Sequence, residues 1–325
     1  MHAFLRAHPE VFMPSAKEIH YFGSDLQGLP YELDQERYHA LFRGTEGKRR
    51  VGATCAMALY SNQGAEEIRR EVPDAKIVML LRDPVEMMYA FHSELVYQGM
   101  EHVKDFRKAV LLEPERKRGR GLPQNSLPPS IFLYCEMASY AEQVHRFYAH
   151  FPQEQIHVIL FDDFQKDLPG VYRRLLQFLE VNPEFRPKFS TINPNKRVRS
   201  LRLRRLLSQP GPREKALARA LIPWRDARQR MSAILSHWNV NFAPRSRMNL
   251  SLRRRLASQL APDVERLSQI IKHDLSHWLS EATYQRSESR HPSEPVDFRS
   301  GPAAQRQAYH PMEERAVNSL SRQNE

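Results

Sequence analysis

An α/β fold with a parallel sheet is what this sequence predicts. Lys76–Leu81 (KIVMLL) is a continuous apolar run after its lysine, and Ile156–Phe161 (IHVILF) is a second run of buried character. They lack the alternation of a half-exposed strand, so each reads as a strand buried on both faces. A helical pattern follows each run, and repeated strand–helix alternation is the mark of a parallel sheet.

The elements follow in order. Met1, Phe4 and Leu5 share one face of an opening helix that Pro9 stops. LDQERYHALFRG is a helix closed by Gly44, and KRRVGAT a short strand. NQGAEEIRREVP carries Ile68 and Val72 at helical spacing and ends at Pro73. After KIVMLL, VEMMYAFHSELVYQG sets Val85, Met88, Tyr89, His92 and Val96 near one stripe, with Gly99 as the stop. Residues 113–129 are rich in Pro, Gly and charge and read as a long surface loop, a lid or binding loop. IFLYCEMASYAEQVHRFYAHF reads as one long amphipathic helix ended by Pro152. GVYRRLLQFLEV is the helix after IHVILF. NPNKRVRSLRLRRLL is a loop running into a basic helix. NLSLRRRLASQLAPDVERLSQIIKHDLSHWL predicts two helices broken near Pro262. Residues 1–280 form the folded part, and 281–325 a polar, aperiodic tail expected to be disordered.

Composition narrows the class. At 325 residues and 41% hydrophobic content the chain has the material for a real core. No apolar run approaches a membrane span, and no signal peptide is read at the N-terminus. Cys55 and Cys135 are the only cysteines, which excludes a disulfide framework and suits a reducing, cytoplasmic setting. The net charge of +11 and pI near 9.7 suit anionic partners. The excess concentrates between Arg186 and Arg230, where a solvated basic face is the alternative to a binding surface.

Three constellations could carry chemistry. In KIVMLLRDPVEMMYAF, a strand delivers Arg82 at its C-terminal end, Asp83 stands where an N-cap belongs, and Pro84 opens a helix. Ligands of open parallel sheets bind at that end of the strands. A guanidinium beside free helix N–H groups suits a phosphate, unless Arg82 pairs with a structural carboxylate. In Lys17-Glu18-Ile19-His20, alternation in an extended stretch would point Glu18 and His20 the same way. A carboxylate backed by His and Lys can serve as a general base, although half-exposed Glu/His pairs are common. Asn193-Pro194-Asn195-Lys196-Arg197 begins a basic loop able to close over a polyanion. It lacks interleaved aromatics and any helix-turn-helix, zinc-finger or RNA-binding signature, which argues against nucleic acid. No metal-ligand spacing, G-x-S-x-G, Walker or G-x-G-x-x-G motif occurs, so no metal is expected.

Taken in order, LRAHPEVFMPSAKEIHYF, KIVMLLRDPVEMMYAFHSE, YAEQVHRFYAHFPQEQIHVILFDDF, YRRLLQFLEV, NKRVRS and LAPDVERLSQIIKHDLSHW resemble the cytosolic-type bacterial sulfotransferase domain. That family is related to the heparan sulfate sulfotransferases and uses 3′-phosphoadenosine 5′-phosphosulfate as donor. The resemblance covers roughly residues 3 to 279. It implies a P-loop-like, three-layer α/β domain with a central parallel sheet flanked by helices. It also implies that Glu18 is the base that deprotonates the acceptor, with His20 and Lys17 beside it. Arg82 would bind the donor's 3′-phosphate, and Lys196 and Arg197 would lie in the loop closing over the nucleotide. The acceptor would be a saccharide, a lipid or a small alcohol.

Three departures accompany the resemblance. Where the family has a serine sharing the 3′-phosphate, this chain has Ala90, with Ser93 nearly one turn on as the substitute. VGATCAMAL lacks the family's acidic residue and proline. The family's first strand and its Lys-x-Gly-Thr-Thr type phosphosulfate loop are expected to be missing, because the sequence reads as starting inside the helix that follows them. Two other classes stay open: a non-catalytic basic protein binding nucleic acid or acidic glycans, and another nucleotide-dependent transferase such as a small-molecule kinase.

Overall fold

The computed structural model describes residues 1–29, 32–123, 127–189, 196–200, 203, 206–207, 211–222, 224–242 and 248–280. They fall into two compact units. The first comprises Met1–His92, Val103–Ile192 and Met248–Glu281; the second includes Ser93–His102 and Asn193–Arg247.

Along the first unit run α1 (His2–Arg6), β1 (Val11–Phe12), α2 (Gln35–Ala40), β2 (Arg50–Val51), α3 (Met57–Tyr60), α4 (Gly64–Glu71) and β3 (Ile77–Leu81). Helix α5 (Pro84–Gln98) follows, its last residues counting with the second unit. Then come α6 (Phe106–Leu111), α7 (Glu113–Lys117), α8 (Tyr134–Met137), α9 (Tyr140–His150), β4 (Ile156–Leu160), α10 (Phe161–Lys166) and α11 (Leu168–Phe178). The second unit holds β5 (Lys196–Val198), α12 (Pro212–Leu221), α13 (Arg225–Trp238) and β6 (Val240–Phe242). Helix α14 (Leu250–Ile271) returns to the first.

Strands β3 and β4 pair in parallel, from Ile77↔Ile156 to Leu81↔Leu160, and β1 pairs in parallel with β2. The β3–β4 pair separates two cores. Met79, Leu81, Ile156 and Leu160 face Tyr140, Val144 and Phe147 of α9 and Val264 and Leu267 of α14. Val78 and Ile159 face the opposite way, toward Phe4 and Leu5 of α1 and Tyr172, Leu175 and Leu176 of α11. Helices on both sides of the strands give the three-layer α/β arrangement. They also explain why both runs are largely apolar, His157 of β4 being the polar exception. Leu80 departs from that expectation: it is 45% exposed, so β3 is covered on only part of its second face.

Several elements differ from the sequence expectation, each for a local reason. Residues 113–129 are not all loop. Pro114 in a first helical turn starts α7, and Arg116 is buried there, donating to the Phe132 and Gly121 carbonyls. The expected long helix from Ile131 is broken between α8 and α9. The Ser139 hydroxyl donates back to the Cys135 carbonyl, and the Gln143 amide takes the Glu136 and Met137 carbonyls that a continuing helix would have used. Conversely, α14 runs unbroken through Pro262. Leu256 and Leu260 before the proline and Val264 and Leu267 after it are all buried, and Asp263 accepts from the Ala141 amide at the start of α9. Packing on both sides outweighs the bond that Pro262 cannot make. Lys196–Val198, expected in a loop, pairs as β5 antiparallel to β6. The tail from 281 and residues 193–195 lie outside the described residues.

Candidate functional site

The segment holding Lys17, Glu18 and His20 runs beside residues 54–56. The Ile19 amide donates to the Thr54 carbonyl at 3.1 Å, and His20 is bridged to Glu32 on its other flank. The stretch is not the regular extended strand its alternation predicted. Glu18 sits at φ 61°, in the left-handed region, where a non-glycine residue carries roughly 1–2 kcal/mol of strain. That conformation still brings the expected groups together. Glu18 Oε2 accepts the Ala56 amide at 3.0 Å, and its Oε1 lies 3.9 Å from Lys17 Nζ. His20 Nδ1 lies 3.3 Å from Cys55 Sγ.

The electrostatics assign roles within this group. Burial lowers the His20 pKa against the opposing pull of Glu18 and Glu32, so the imidazole is neutral near pH 7. Burial first, and the Glu18 charge after it, push the Cys55 thiol up to about 11. A protonated thiol can donate to Nδ1, the arrangement that leaves the imidazole proton on Nε2. His20 is then set to donate a hydrogen bond from Nε2, beside the Glu18 carboxylate that the Ala56 amide holds. Lys17 also bears on His2, whose pKa falls to about 4 through burial first and the nearby cation second. Cys55 is the member that sequence reasoning missed. Its only signal was its place in the stretch after β2.

The second cluster stands at the carboxyl ends of β3 and β4. Asp83 caps α5 as expected, its Oδ1 accepting the Val85 and Glu86 amides at 2.9 and 3.2 Å. The first-turn N–H groups anticipated for a ligand are therefore partly taken. Asp83 Oδ2 is also bound by Arg253 Nη2 of α14 at 2.6 Å, and the same nitrogen donates to the Trp278 carbonyl at 3.2 Å. This pair is deeply buried, with side-chain exposures of 5% for Arg253 and 11% for Asp83. The structural carboxylate thus belongs to Arg253. Arg82 is left with Glu86 at 4.0 Å and with its guanidinium over the Phe161 ring, 5.0 Å from the centroid. Its Nε is buried and makes no hydrogen bond among the described residues. Next to Phe161, Asp162 accepts from the Trp278 indole at 2.7 Å, with His277 Nε2 at 3.2 Å. Arg253, Phe161 and Asp162 gave no motif in the sequence, since each acts through a partner far along the chain.

The remaining predicted residues lie elsewhere. Ser93, half-buried in α5, counts with the second unit, as do Lys196 and Arg197 of β5, paired with Phe242 and Asn241. The side chains of Lys196 and Arg197 lie outside what the structure describes. No hydrogen bond or ion pair joins the Glu18 group to Arg82 among the described residues. Nor do three His, Cys, Asp or Glu side chains converge there as a metal site would require.

Comparison with known proteins gives three findings. Residues 63–204 match the Sulfotransferase domain family. The membrane-associated sulfotransferase kil1 of Dictyostelium discoideum is 24% identical, over 57% of this chain and 55% of its own length. This chain thus spans about half of that curated relative. The crystal structure of a sulfotransferase from Alicyclobacillus acidocaldarius is similar at a TM-score of 0.62 and 27% identity, covering 85% of this chain and 92% of the other.

Proposed function

We propose, from the match of residues 63–204 to the Sulfotransferase domain family and the similarity to a solved sulfotransferase, that the chain transfers a sulfuryl group from 3′-phosphoadenosine 5′-phosphosulfate to a hydroxyl or amine. The observation that carries the reading is Arg82, whose buried Nε makes no hydrogen bond among the described residues, with Asp83 engaged by Arg253 and Glu86 no nearer than 4.0 Å. A cation so placed at the end of a parallel strand fits a phosphate. Bound there, the donor would supply an activated sulfate whose bridging S–O bond breaks as the acceptor attacks sulfur.

The chain's own residues would do the rest. Arg82 holds the 3′-phosphate. Glu18 takes the proton of the attacking hydroxyl or amine, its carboxylate fixed by the Ala56 amide. His20 donates from Nε2, and Lys17 offsets charge beside Glu18. Ser93, Lys196 and Arg197 are assigned to the nucleotide side, and residues 1–280 to the catalytic domain. As in phosphoryl transfer, positioning and electrostatics dominate such a reaction. The acceptor is a saccharide, a lipid or a small alcohol. The reading puts the protein in the cytoplasm, and its two free cysteines support it, since they suit a reducing compartment.

The test is calorimetric titration with adenosine 3′,5′-bisphosphate, paired with transfer assays. Arg82→Ala should weaken binding by about 10- to 100-fold, the usual worth of a charged hydrogen-bonding group. Glu18→Gln should leave binding intact and lower transfer by about 10²–10⁴. Unchanged binding by Arg82→Ala would remove the assignment. Tighter binding of ATP than of the bisphosphate would favour another nucleotide-dependent transferase.

A further inference from the structure

We infer that α12 and α13 form a peripheral docking surface for a bilayer carrying anionic lipids. Seven of the twelve large apolar side chains exposed among the described residues fall between Leu206 and Trp238, so the surface apolar area is concentrated there. On α13, Met231, Ile234 and Trp238 are exposed, and Trp224 sits one residue ahead of the helix, its carbonyl accepting the Arg228 amide. At about 100° per residue, these four positions fall within roughly an 80° arc. One stripe thus carries aliphatic residues in its middle and a tryptophan near each end. On α12, Leu217 and Leu221 lie one turn apart and are also exposed.

The surroundings of this surface are basic. Over residues 211–242 the sequence has six Lys or Arg against two acids. Arg219, Arg225 and Arg230 are exposed, and Arg199 stacks on the Trp238 ring at 5.4 Å. Arg228 donates to the Ile222 carbonyl at 2.7 Å, which ties the start of α13 to the end of α12.

Charge and shape together select the occupant. A nucleic acid or acidic glycan would neutralise the arginines but leave Leu221, Met231 and Ile234 in water. A second copy would cover the apolar stripe but bring two positive rims together. An anionic bilayer surface takes both features. Tryptophan and aliphatic side chains enter the headgroup boundary, and arginines pair with headgroups. Docking here is peripheral, because no helix among the described residues is long and apolar enough to cross a membrane.

The test uses the full chain with vesicles of pure phosphatidylcholine and of 7:3 phosphatidylcholine:phosphatidylglycerol, followed by flotation and tryptophan fluorescence. Binding is expected to the anionic vesicles, with a blue shift and quenching by brominated lipid. Trp278 is buried, so quenching reports on Trp224 and Trp238. Leu221→Glu with Ile234→Glu should cost at least tenfold in vesicle affinity, and each Arg→Gln at Arg219 or Arg230 about fivefold. Circular dichroism checks that the variants fold, and quenching of the unmodified chain needs no variant. Neither variant touches the proposed nucleotide site, so bisphosphate binding should persist, which separates this surface from that site. Absence of anionic-vesicle binding, or binding without quenching, overturns the proposal. Heparin or DNA binding that leaves the tryptophans exposed assigns the surface to a polyanion instead. Self-association that blocks vesicle binding assigns it to a second copy.

Discussion

Replacing Arg253 by methionine tests how the Arg82 turn is held. Methionine keeps most of the stem volume and removes the charge that Asp83 faces inside the protein. Breaking a buried ion pair from one side costs about 3–5 kcal/mol, because an uncompensated charge stays behind. Asp83 would keep its bonds from the Val85 and Glu86 amides, which places the expected loss near the low end, about 3 kcal/mol. For a domain of this size that is a fall in Tm of about 6–12 °C. The lost bond to the Trp278 carbonyl is included in that figure.

Adding Asp83→Asn separates charge from packing. Asparagine can still cap α5, and the double variant contains no buried charge at this place. Arg253→Met with Asp83→Asn should therefore recover about 2 kcal/mol over Arg253→Met alone. Thermal unfolding followed by circular dichroism reads both differences. A loss below about 1 kcal/mol for Arg253→Met, or a double variant no more stable than the single, would refute the buried-pair account.

Two further outcomes follow from titration. His2, His20 and His157 all have lowered pKa values, chiefly through burial, so the unfolded chain takes up their protons first. Their contribution is complete above about pH 6.5 and is lost as pH falls toward the folded values, about 4 for His2. Tm should drop between pH 7 and 5, with a shallower slope in His2→Gln with His157→Gln; an unchanged slope would contradict the assignment. Burial pushes Cys55 up to about 11 and Cys135 up to about 12, so iodoacetamide at pH 8 should modify both slowly until the chain unfolds. Rapid labelling of the native protein, read by mass spectrometry, would rule out the buried-thiol picture.

What the sequence made legible is what acts locally. The two apolar runs became the β3–β4 pair, and Asp83-Pro84 became a helix start, because composition and turn chemistry act on neighbouring residues. Pairings at a distance were not legible. Pro262 read as a break because nothing nearby announces that both halves of α14 are buried, the second of them against α9. The reading of Arg82 left open a structural carboxylate and did not foresee that Asp83 would be held by Arg253, 170 residues away. Cys55 meets His20 only because the two segments lie side by side in the fold.

Backbone conformation was the least legible property, and Glu18 is where it bears on the site. Alternation made the segment look extended, yet Glu18 occupies the left-handed region. Elsewhere glycine is less stable than alanine by about 0.5–1 kcal/mol, because it has more freedom to lose. At Glu18 the order should invert. Alanine would keep the roughly 1–2 kcal/mol of left-handed strain and glycine would not. Both variants lose the carboxylate that accepts the Ala56 amide, so that loss cancels between them. Glu18→Gly should therefore be more stable than Glu18→Ala by about 0.5–1 kcal/mol, with both defective in transfer. Urea unfolding of the pair decides it. If alanine proves the more stable, Glu18 stores no strain. If glycine does, the chain keeps a residue that its own backbone disfavours, as expected where a carboxylate must be aimed.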